Sequence, residues 1–175
     1  EEVVIIDAAH DAAAILAGVG DRTVRAIVVT HGHNDHIGAA PELAAATGAP
    51  IFLHPEDRML WDQTHPGVPH EDLTDGQRIP VAGTELVVIN TPGHSPGSCV
   101  LWLESEKVLF SGDTLFHGGP GATGRSFSSF ETIIDSLREK VLTLDPDTRV
   151  CTGHGDDTTI GAEPGQLDEW IERGH

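Results

Sequence analysis

The segment VVTHGHNDHIGAA, from Val28 to Ala40, decides how this chain is best interpreted. Within six residues it carries three histidines and one aspartate, namely His31, His33, Asp35 and His36. In an extended segment the imidazoles of His31 and His33 leave the same side of the backbone. Nitrogen and oxygen donors crowded this closely favour a bound cation, zinc first and iron or manganese less selectively. A solvated polar loop is the weaker interpretation, because loop histidines do not usually come in such a group.

The composition is that of one globular domain, and we expect a single domain over residues 1–175. A chain of this length can bury a sizeable core, and 38% of its residues are hydrophobic. The 10 basic against 28 acidic residues give a formal net charge of −18, which repels phosphate backbones and anionic membranes. We therefore expect neither a nucleic acid nor a membrane as partner, and no apolar run reaches membrane-spanning length.

The two cysteines, Cys99 and Cys151, both lie in apolar segments, where buried structural thiols are the simplest expectation. A disulfide between them stays open at this point. Two cysteines do not make the disulfide framework of an extracellular protein, however, and a cytoplasmic location is expected. The sequence leaves the oligomeric state open.

The apolar pattern alternates between strands and helices along the chain. Strands are predicted over 3–6, 24–30, 51–53, 78–81, 84–89, 98–103, 107–110 and 149–152. Helices are predicted over 11–17, 41–47, 55–61, 127–142 and 164–171, with Ser126 or Ser128 as the N-cap of the fourth. Residues 64–75 are rich in proline, histidine and glycine and are predicted as a loop. The alternation favours two mixed sheets packed together with helices on the outside.

Three further predicted strands end in ligating residues. His94 stands in TPGHSPGS after the strand over 84–89, and Asp113 stands in SGDTLF after the strand over 107–110. His154 stands in GHG after the strand over 149–152. Together with the histidine cluster, four strand ends carry the same kind of chemistry.

With these motifs in this order, the chain resembles the metallo-β-lactamase superfamily and, within it, the glyoxalase II-like hydrolases. The resemblance implies an α+β fold, a four-layer αββα sandwich of two mixed β-sheets flanked by helices. The strand pair that usually precedes the segment IID, at 5–7, is expected to be missing. The resemblance also implies two divalent metal ions, with zinc expected and iron or manganese as alternatives. The implied ligands are, for the first ion, His31, His33 and His94; for the second, Asp35, His36 and His154; and, as the bridge between them, Asp113.

The implied activity is hydrolysis by a hydroxide that bridges the two metal ions, since two close cations lower the pKa of a shared water toward neutrality. The expected substrate is a small-molecule thioester such as an acyl-glutathione-type conjugate, cleaved to a carboxylic acid and a free thiol. Asp35 is the candidate catalytic residue, because it can orient the nucleophile and accept its proton. Asp7 is a candidate to orient a ligand histidine.

The loop after Asp113, LFHGGPGATGRSF, departs from the glyoxalase II-like pattern. Relatives place a basic residue directly after G-x-G, where this chain has Ala122 unless a short insertion makes Arg125 the equivalent. The chain has no tyrosine to contact glutathione, and it lacks the C-terminal helical domain of the longer family members, so the compact single-domain branch is expected. The candidate substrate contacts are His54, His117 and Arg125. The remaining histidines are expected to be solvated; they are His10, His65, His70 and His175.

Other functions are weighed against hydrolysis of a thioester. Persulfide dioxygenases keep much of the same histidine motif around a single iron ion, but their basic-Thr-Asp stretch is not visible in GATGRSFSS. A non-enzymatic domain with a degenerate site is the weakest alternative, since all the ligand positions hold competent residues. Hydrolysis of a β-lactam is disfavoured, because one major zinc class of β-lactamases uses a cysteine where this chain has Asp113.

Overall fold

A computed structural model describes residues 1–175, and the first half of the chain forms a parallel sheet with helical connections. Its strands, hydrogen-bonded in this order, are β1 (Glu2–Ile6), β2 (Thr23–Val28), β3 (Ile51–Leu53) and β4 (Glu71–Asp72). The connections hold α1 (Ala12–Val19), α2 (Asn34–Ile37), α3 (Ala40–Thr47) and α4 (Arg58–Thr64). α1 begins where the sequence predicts, because the Asp11 carboxylate accepts a hydrogen bond of 3.0 Å from the amide of Ala14.

The second half forms a six-stranded mixed sheet. Its strands are β5 (Arg78–Val81), β6 (Thr84–Asn90), β7 (Cys99–Leu103), β8 (Val108–Gly112), β11 (Arg149–Thr152) and β12 (Thr158–Thr159). Their order is β12-β11-β8-β7-β6-β5, with β8 and β11 parallel and the other pairs antiparallel. A small hairpin of β9 (Leu115–Phe116) and β10 (Gly119–Pro120) follows β8. The helices are α5 (Phe130–Ser136), which continues as a π-helical turn over Leu137–Val141, and α6 (Leu167–Arg173).

The alternation of side chains along the strands separates the core into three apolar layers. In β2, Val28 packs with Val88 and Leu101 between the two sheets. Its neighbour Ile27 points the other way and packs with apolar residues of α1 and α3. In β7, Val100 likewise packs with apolar residues of α5 and α6. The four-layer αββα sandwich expected from the sequence is therefore confirmed.

The structure refines several of the predicted elements. The first sheet has only parallel pairs, so mixed pairing is confined to the second sheet. Two residues of the loop predicted over 64–75 form β4. The helix predicted over 127–142 begins at Phe130, and its N-cap is Ser129 rather than Ser126 or Ser128. The Ser128 hydroxyl is not free to cap this helix, because it is hydrogen-bonded to the backbone of Arg125.

The thiols of Cys99 and Cys151 are not bonded to each other. Cys99 is buried and Cys151 is partly buried, and both are free cysteines, so the disulfide left open by the sequence is not formed. Burial raises the pKa of the Cys99 thiol to about 12, which keeps it protonated and unreactive near neutral pH. None of the helices has the length and apolarity that crossing a membrane requires.

Candidate metal centre

The ligating residues converge because they follow the carboxyl ends of four strands. His31, His94, Asp113 and His154 come within a few residues of the ends of β2, β6, β8 and β11. The short helix α2 then turns the chain directly after His33, so the segment from Val28 to Ala40 delivers donors to two neighbouring places. All seven ligands expected from the sequence lie in two groups at this edge of the sandwich.

The first group consists of His31, His33 and His94, whose ligating atoms lie within 4.8 Å of one another. His33 Nδ1 and His94 Nε2 are 3.0 Å apart. His31 and His94 are buried, and the His31 ring stands edge-on to both other rings. These are the three histidines that the sequence assigns to the first ion.

The second group consists of Asp35, His36, Asp113 and His154. His154 Nε2 lies 3.1 Å from Asp35 Oδ2 and 3.2 Å from His36 Nε2. His36 Nε2 lies 3.5 Å from Asp35 Oδ2. The three residues that the sequence assigns to the second ion are therefore together as well.

Asp113 lies between the two groups. Its Oδ2 atom is 3.7 Å from His31 Nε2, 3.5 Å from His94 Nε2 and 3.5 Å from His154 Nε2. Its Oδ1 atom is 3.3 Å from His36 Nε2. This carboxylate is thus in the position of a bridge between two cations. The backbone beside it leaves space for this carboxylate, because a Cβ at Gly153 would overlap Asp113 Oδ1.

The two groups fit cations. Ligand atoms at about 2.0–2.1 Å from a tetrahedral zinc ion are roughly 3.3 Å from each other, and the contacts above range from 3.0 to 3.7 Å. The buried His31 Nε2 atom has no hydrogen-bond partner, which is costly unless a cation satisfies it. All the donors are nitrogen or oxygen, a set that suits zinc, iron or manganese.

Contacts behind the histidines fix their rings. His31 Nδ1 lies 3.0 Å from Thr30 Oγ1, and His36 Nδ1 lies 2.8 Å from Asp7 Oδ2. Asp7 thus contacts a candidate ligand histidine, as its predicted orienting role requires, and its second oxygen accepts the Thr30 amide at 2.7 Å. His94 Nδ1 donates to the carbonyl of Ala122 at 2.7 Å. Each of these contacts leaves the other ring nitrogen to face the centre.

Comparison with known proteins agrees with this geometry. The family model of the metallo-β-lactamase superfamily matches residues 1–154. The chain belongs to this superfamily. Hydroxyacylglutathione hydrolase GloC from Haemophilus influenzae is 34% identical over 157 residues, which cover 82% of this chain and 74% of that protein.

Two solved structures of metallo-β-lactamase-fold proteins are also similar to this chain. TTHA1623, in a di-iron-bound form, is 31% identical with a TM-score of 0.83, over 91% of this chain and 87% of that one. BLEG-1, described as a B3 metallo-β-lactamase, is 33% identical with a TM-score of 0.81, over 95% of this chain and 86% of that one.

Within this metallo-β-lactamase centre, burial lowers the pKa values of His31 and His33 from the ordinary range. The neighbouring imidazoles add to the effect, chiefly His36 on His31 and His94 on His33. Both rings are therefore neutral near pH 7, which is the state that a metal ligand requires.

The pKa of His36 shifts in the opposite direction. Burial works to lower its pKa, but the carboxylates of Asp113 and Asp7 outweigh this effect and raise the pKa of His36 to about 10. Burial alone would raise the pKa of Asp113, yet the contact with His36 holds it below its usual range. Without metal the two residues therefore form an ion pair, and a cation that enters the second group replaces the proton on His36.

Loading of the metal-free protein with zinc at pH 8 is expected to release about one proton per chain from His36. The pKa of about 10 keeps this ring protonated at that pH, and the ring must lose its proton to bind a cation. The release can be followed with a pH indicator in weakly buffered solution. His36→Ala is the control and is expected to release less. Uptake of two ions by the unchanged protein without any proton release would contradict the role of His36.

The second group is the open side of the centre. The side chains of His154 and Asp35 are 55% and 39% exposed, whereas those of His31 and His36 are 1% and 3% exposed. A cavity of 460 Å³ borders this side and is lined partly by Asp35, His36 and His154. His10, expected to be solvated, is exposed and also lines this cavity. Small molecules therefore have access to the centre from the second group.

The three candidate substrate contacts have different surroundings. His54 caps the turn Pro55–Asp57, since its Nδ1 atom accepts a hydrogen bond of 3.2 Å from the Glu56 amide. His117 is exposed between β9 and β10. Arg125 is exposed in the loop between β10 and α5, and its guanidinium makes no ion pair. Arg125 is thus the cation among the three that is free to meet an anionic ligand.

Two histidines expected to be solvated are instead part of the packing. The rings of His65 and His70 lie 4.9 and 5.4 Å from that of Trp61. His65 Nε2 also lies 2.9 Å from the carbonyl oxygen of Ile37. The polar residues around these two histidines gave no sign of this packing.

Two contacts to the first group were not predicted from the sequence. One is the Ala122 carbonyl on His94, and the other is the buried carboxylate of Asp57, which accepts hydrogen bonds from both histidine-bearing loops. A contact made by a backbone carbonyl does not depend on the residue type, so the sequence gives no sign of it. Asp57 resembles any acidic residue in the first turn of a helix, so no local signal could have identified it.

Proposed function

We propose that this chain is a binuclear metallohydrolase that cleaves a small-molecule thioester to a carboxylic acid and a free thiol. The observation that carries the proposal is the position of Asp113, whose carboxylate lies within 3.7 Å of histidines of both groups. The similarity to a hydroxyacylglutathione hydrolase supports a thioester substrate. The free thiols of Cys99 and Cys151 support a cytoplasmic location, where thiols stay reduced.

Each ion would have its own set of ligands. The first ion would be held by His31, His33 and His94, the second by Asp35, His36 and His154, with Asp113 shared. Two bound cations would supply a nucleophilic hydroxide at neutral pH and stabilise the oxyanion that develops on the substrate carbonyl. Zinc is proposed for both positions, and iron or manganese would suit the same donors.

Asp35 is the proposed proton acceptor. Its carboxylate is 39% exposed on the open side of the centre, where a substrate enters. It also lies 3.1 Å from His154 Nε2, so it would be next to the second ion while it orients the nucleophile. The nitrogens of His31, His33 and His94 that face the centre would be occupied by the first ion, which leaves Asp35 as the available base.

Substrate selection is assigned to the rim loop, defined here as residues 123–128. Both of its ends are attached to the segment that carries His94. The Ala122 carbonyl accepts from the His94 ring at 2.7 Å, and the Ser129 amide donates to the Gly93 carbonyl at 2.8 Å. The rim loop therefore projects from the first group and presents Arg125, whose charge can bind a carboxylate of the thiol carrier.

The test is to measure metal content and hydrolysis on the same purified protein. We expect close to two metal ions per chain and release of free thiol from a lactoyl-thiol ester. The metal-free protein, reconstituted separately with zinc, iron or manganese, identifies the ion that supports turnover. A single iron with oxygen consumption on a persulfide would replace the proposal by a dioxygenase. Cleavage of a β-lactam without cleavage of the thioester would also overturn it.

A further inference from the structure

Asp57 is a buried carboxylate that has no counter-charge. It ends the turn Pro55–Asp57 that leads into α4, is 0% exposed, and contacts no cationic side chain closely enough to form an ion pair. Its Oδ2 atom accepts hydrogen bonds from the Gly32 amide at 2.8 Å and the Ser95 hydroxyl at 2.7 Å. Its Oδ1 atom accepts from the Gly97 amide at 2.6 Å. A carboxylate is costly to bury, and three donors are what offset that cost here.

The three donors belong to the two loops that carry the first group. Gly32 stands between His31 and His33 in the loop after β2. Ser95 follows His94 directly in the loop after β6. One carboxylate therefore joins the two loops.

The chain leaves room for this contact on both loops. A Cβ at Gly32 would lie 2.9 Å from the Asp57 carbonyl oxygen, and a Cβ at Gly97 would lie 2.8 Å from Asp57 side-chain atoms. Ser95 is held in turn by Ser98, whose hydroxyl lies 2.7 Å from the Ser95 hydroxyl and accepts the Ser95 amide at 3.1 Å. The donors are therefore fixed in direction before a metal arrives.

We propose that Asp57 is a positioning residue for the first metal ion. It sets the distance between the loop of His31 and His33 and the loop of His94, and its negative charge increases the affinity of that group for a cation. No residue of the second group contacts Asp57, so the effect is confined to the first ion. The inference rests on the two-metal assignment in the proposed function and not on the identity of the substrate.

The decisive variant is Asp57→Asn, which keeps the volume of the side chain. Whichever way the amide is turned, its NH2 group faces a donor, either the Gly97 amide or the donors Gly32 and Ser95. We expect the zinc affinity of the first group to fall by about 10- to 100-fold, the size of effect known for groups that orient metal ligands. The affinity of the second group is expected to change by less than about threefold, because it shares none of these contacts.

The two affinities are measured separately by competition with a chromophoric chelator. The first group is titrated in a His154→Ala background and the second in a His33→Ala background. Visible absorption of bound Co2+ reports the ligand geometry of the first group in the same samples. The matched control is Asp75→Asn, since the exposed Asp75 carboxylate also accepts a backbone amide, that of Asn90 at 2.8 Å, but lies outside both groups. It is expected to leave both affinities unchanged.

Other outcomes overturn the inference. An Asp57→Asn protein that unfolds at a lower temperature with an unchanged affinity of the first group would show a structural role only. Equal losses in both groups would show that Asp57 does not act on the first ion selectively. If Asp57→Asn does not fold, Ser95→Ala decides, with a smaller loss in the first group expected and no loss contradicting the inference. Fewer than two ions in the native protein, or no thioester hydrolysis, would refute the proposed function while these affinities still decide the role of Asp57.

Discussion

Replacement of Asp113 by alanine is expected to remove both metal ions and nearly all hydrolysis. This carboxylate is the group that faces His31 and His94 on one side and His36 and His154 on the other, at 3.3 to 3.7 Å. Its loss also removes one of the two carboxylates that pair with His36. We expect kcat/KM to fall by at least about 1,000-fold, which corresponds to several kcal/mol of transition-state stabilisation.

Metal content by mass spectrometry and thiol release on the same sample check this expectation. The matched control is Asp147→Ala, which removes an aspartate that is 84% exposed and stands beside Lys107 at 4.0 Å. That variant is expected to keep two ions and full activity. An Asp113→Ala protein that retains two ions and turns over substrate at the normal rate would show that the bridge has been assigned to the wrong residue.

Asp35→Asn is expected to keep the first ion and to lose most turnover. The side chain belongs to the second group alone, so its change leaves His31, His33 and His94 in place. An amide cannot accept the proton that a carboxylate takes, and general base catalysis contributes about 100- to 10,000-fold. We therefore expect about one ion per chain at low zinc concentration and a fall in kcat of at least about 100-fold.

A pH–rate profile distinguishes loss of the base from loss of the metal alone. Saturation of Asp35→Asn with zinc should restore the second ion without restoring kcat or the acidic limb of the profile. Asp156→Asn is the control, because this exposed acid close to His154 in the sequence makes the same change of charge outside both groups. Recovery of normal kcat in zinc-saturated Asp35→Asn would mean that Asp35 is a ligand and not a base.

The clustering of the candidate ligands could be predicted from the sequence, because they follow predicted strands. The apolar runs that precede His31, His94, Asp113 and His154 predicted the end of each strand to within two residues. Since the carboxyl ends of these strands meet at one edge, residues far apart in the chain come together without any further signal. The strand runs also predicted the two packed sheets, because residues such as Val28 and Val100 alternate with neighbours that face the opposite layer.

What could not be predicted depends on contacts between segments. The strand β4 consists of two exposed acidic residues. It forms because it pairs with β3, and not because these residue types favour a strand. The start of α5 at Phe130 depends on Ser128 bonding backward to Arg125, which competes with the capping role that serines usually have. The Asp57 carboxylate contacts residues that are 25 to 40 positions away in the sequence, and no local residue pattern predicts such a contact.

The attachment of the rim loop has a consequence for how this protein can diversify. Three of the four groups at its two anchors are main-chain atoms, and the fourth is the His94 ring, so neither anchor uses a side chain of residues 123–128. Inside the loop, the Ser128 hydroxyl bonds the backbone of Arg125. Substitutions at the other loop positions can accumulate while the residues of the two groups keep their positions. Under the proposed function, the acyl group or thiol carrier can thus change among descendants of this chain while the hydrolytic step is retained.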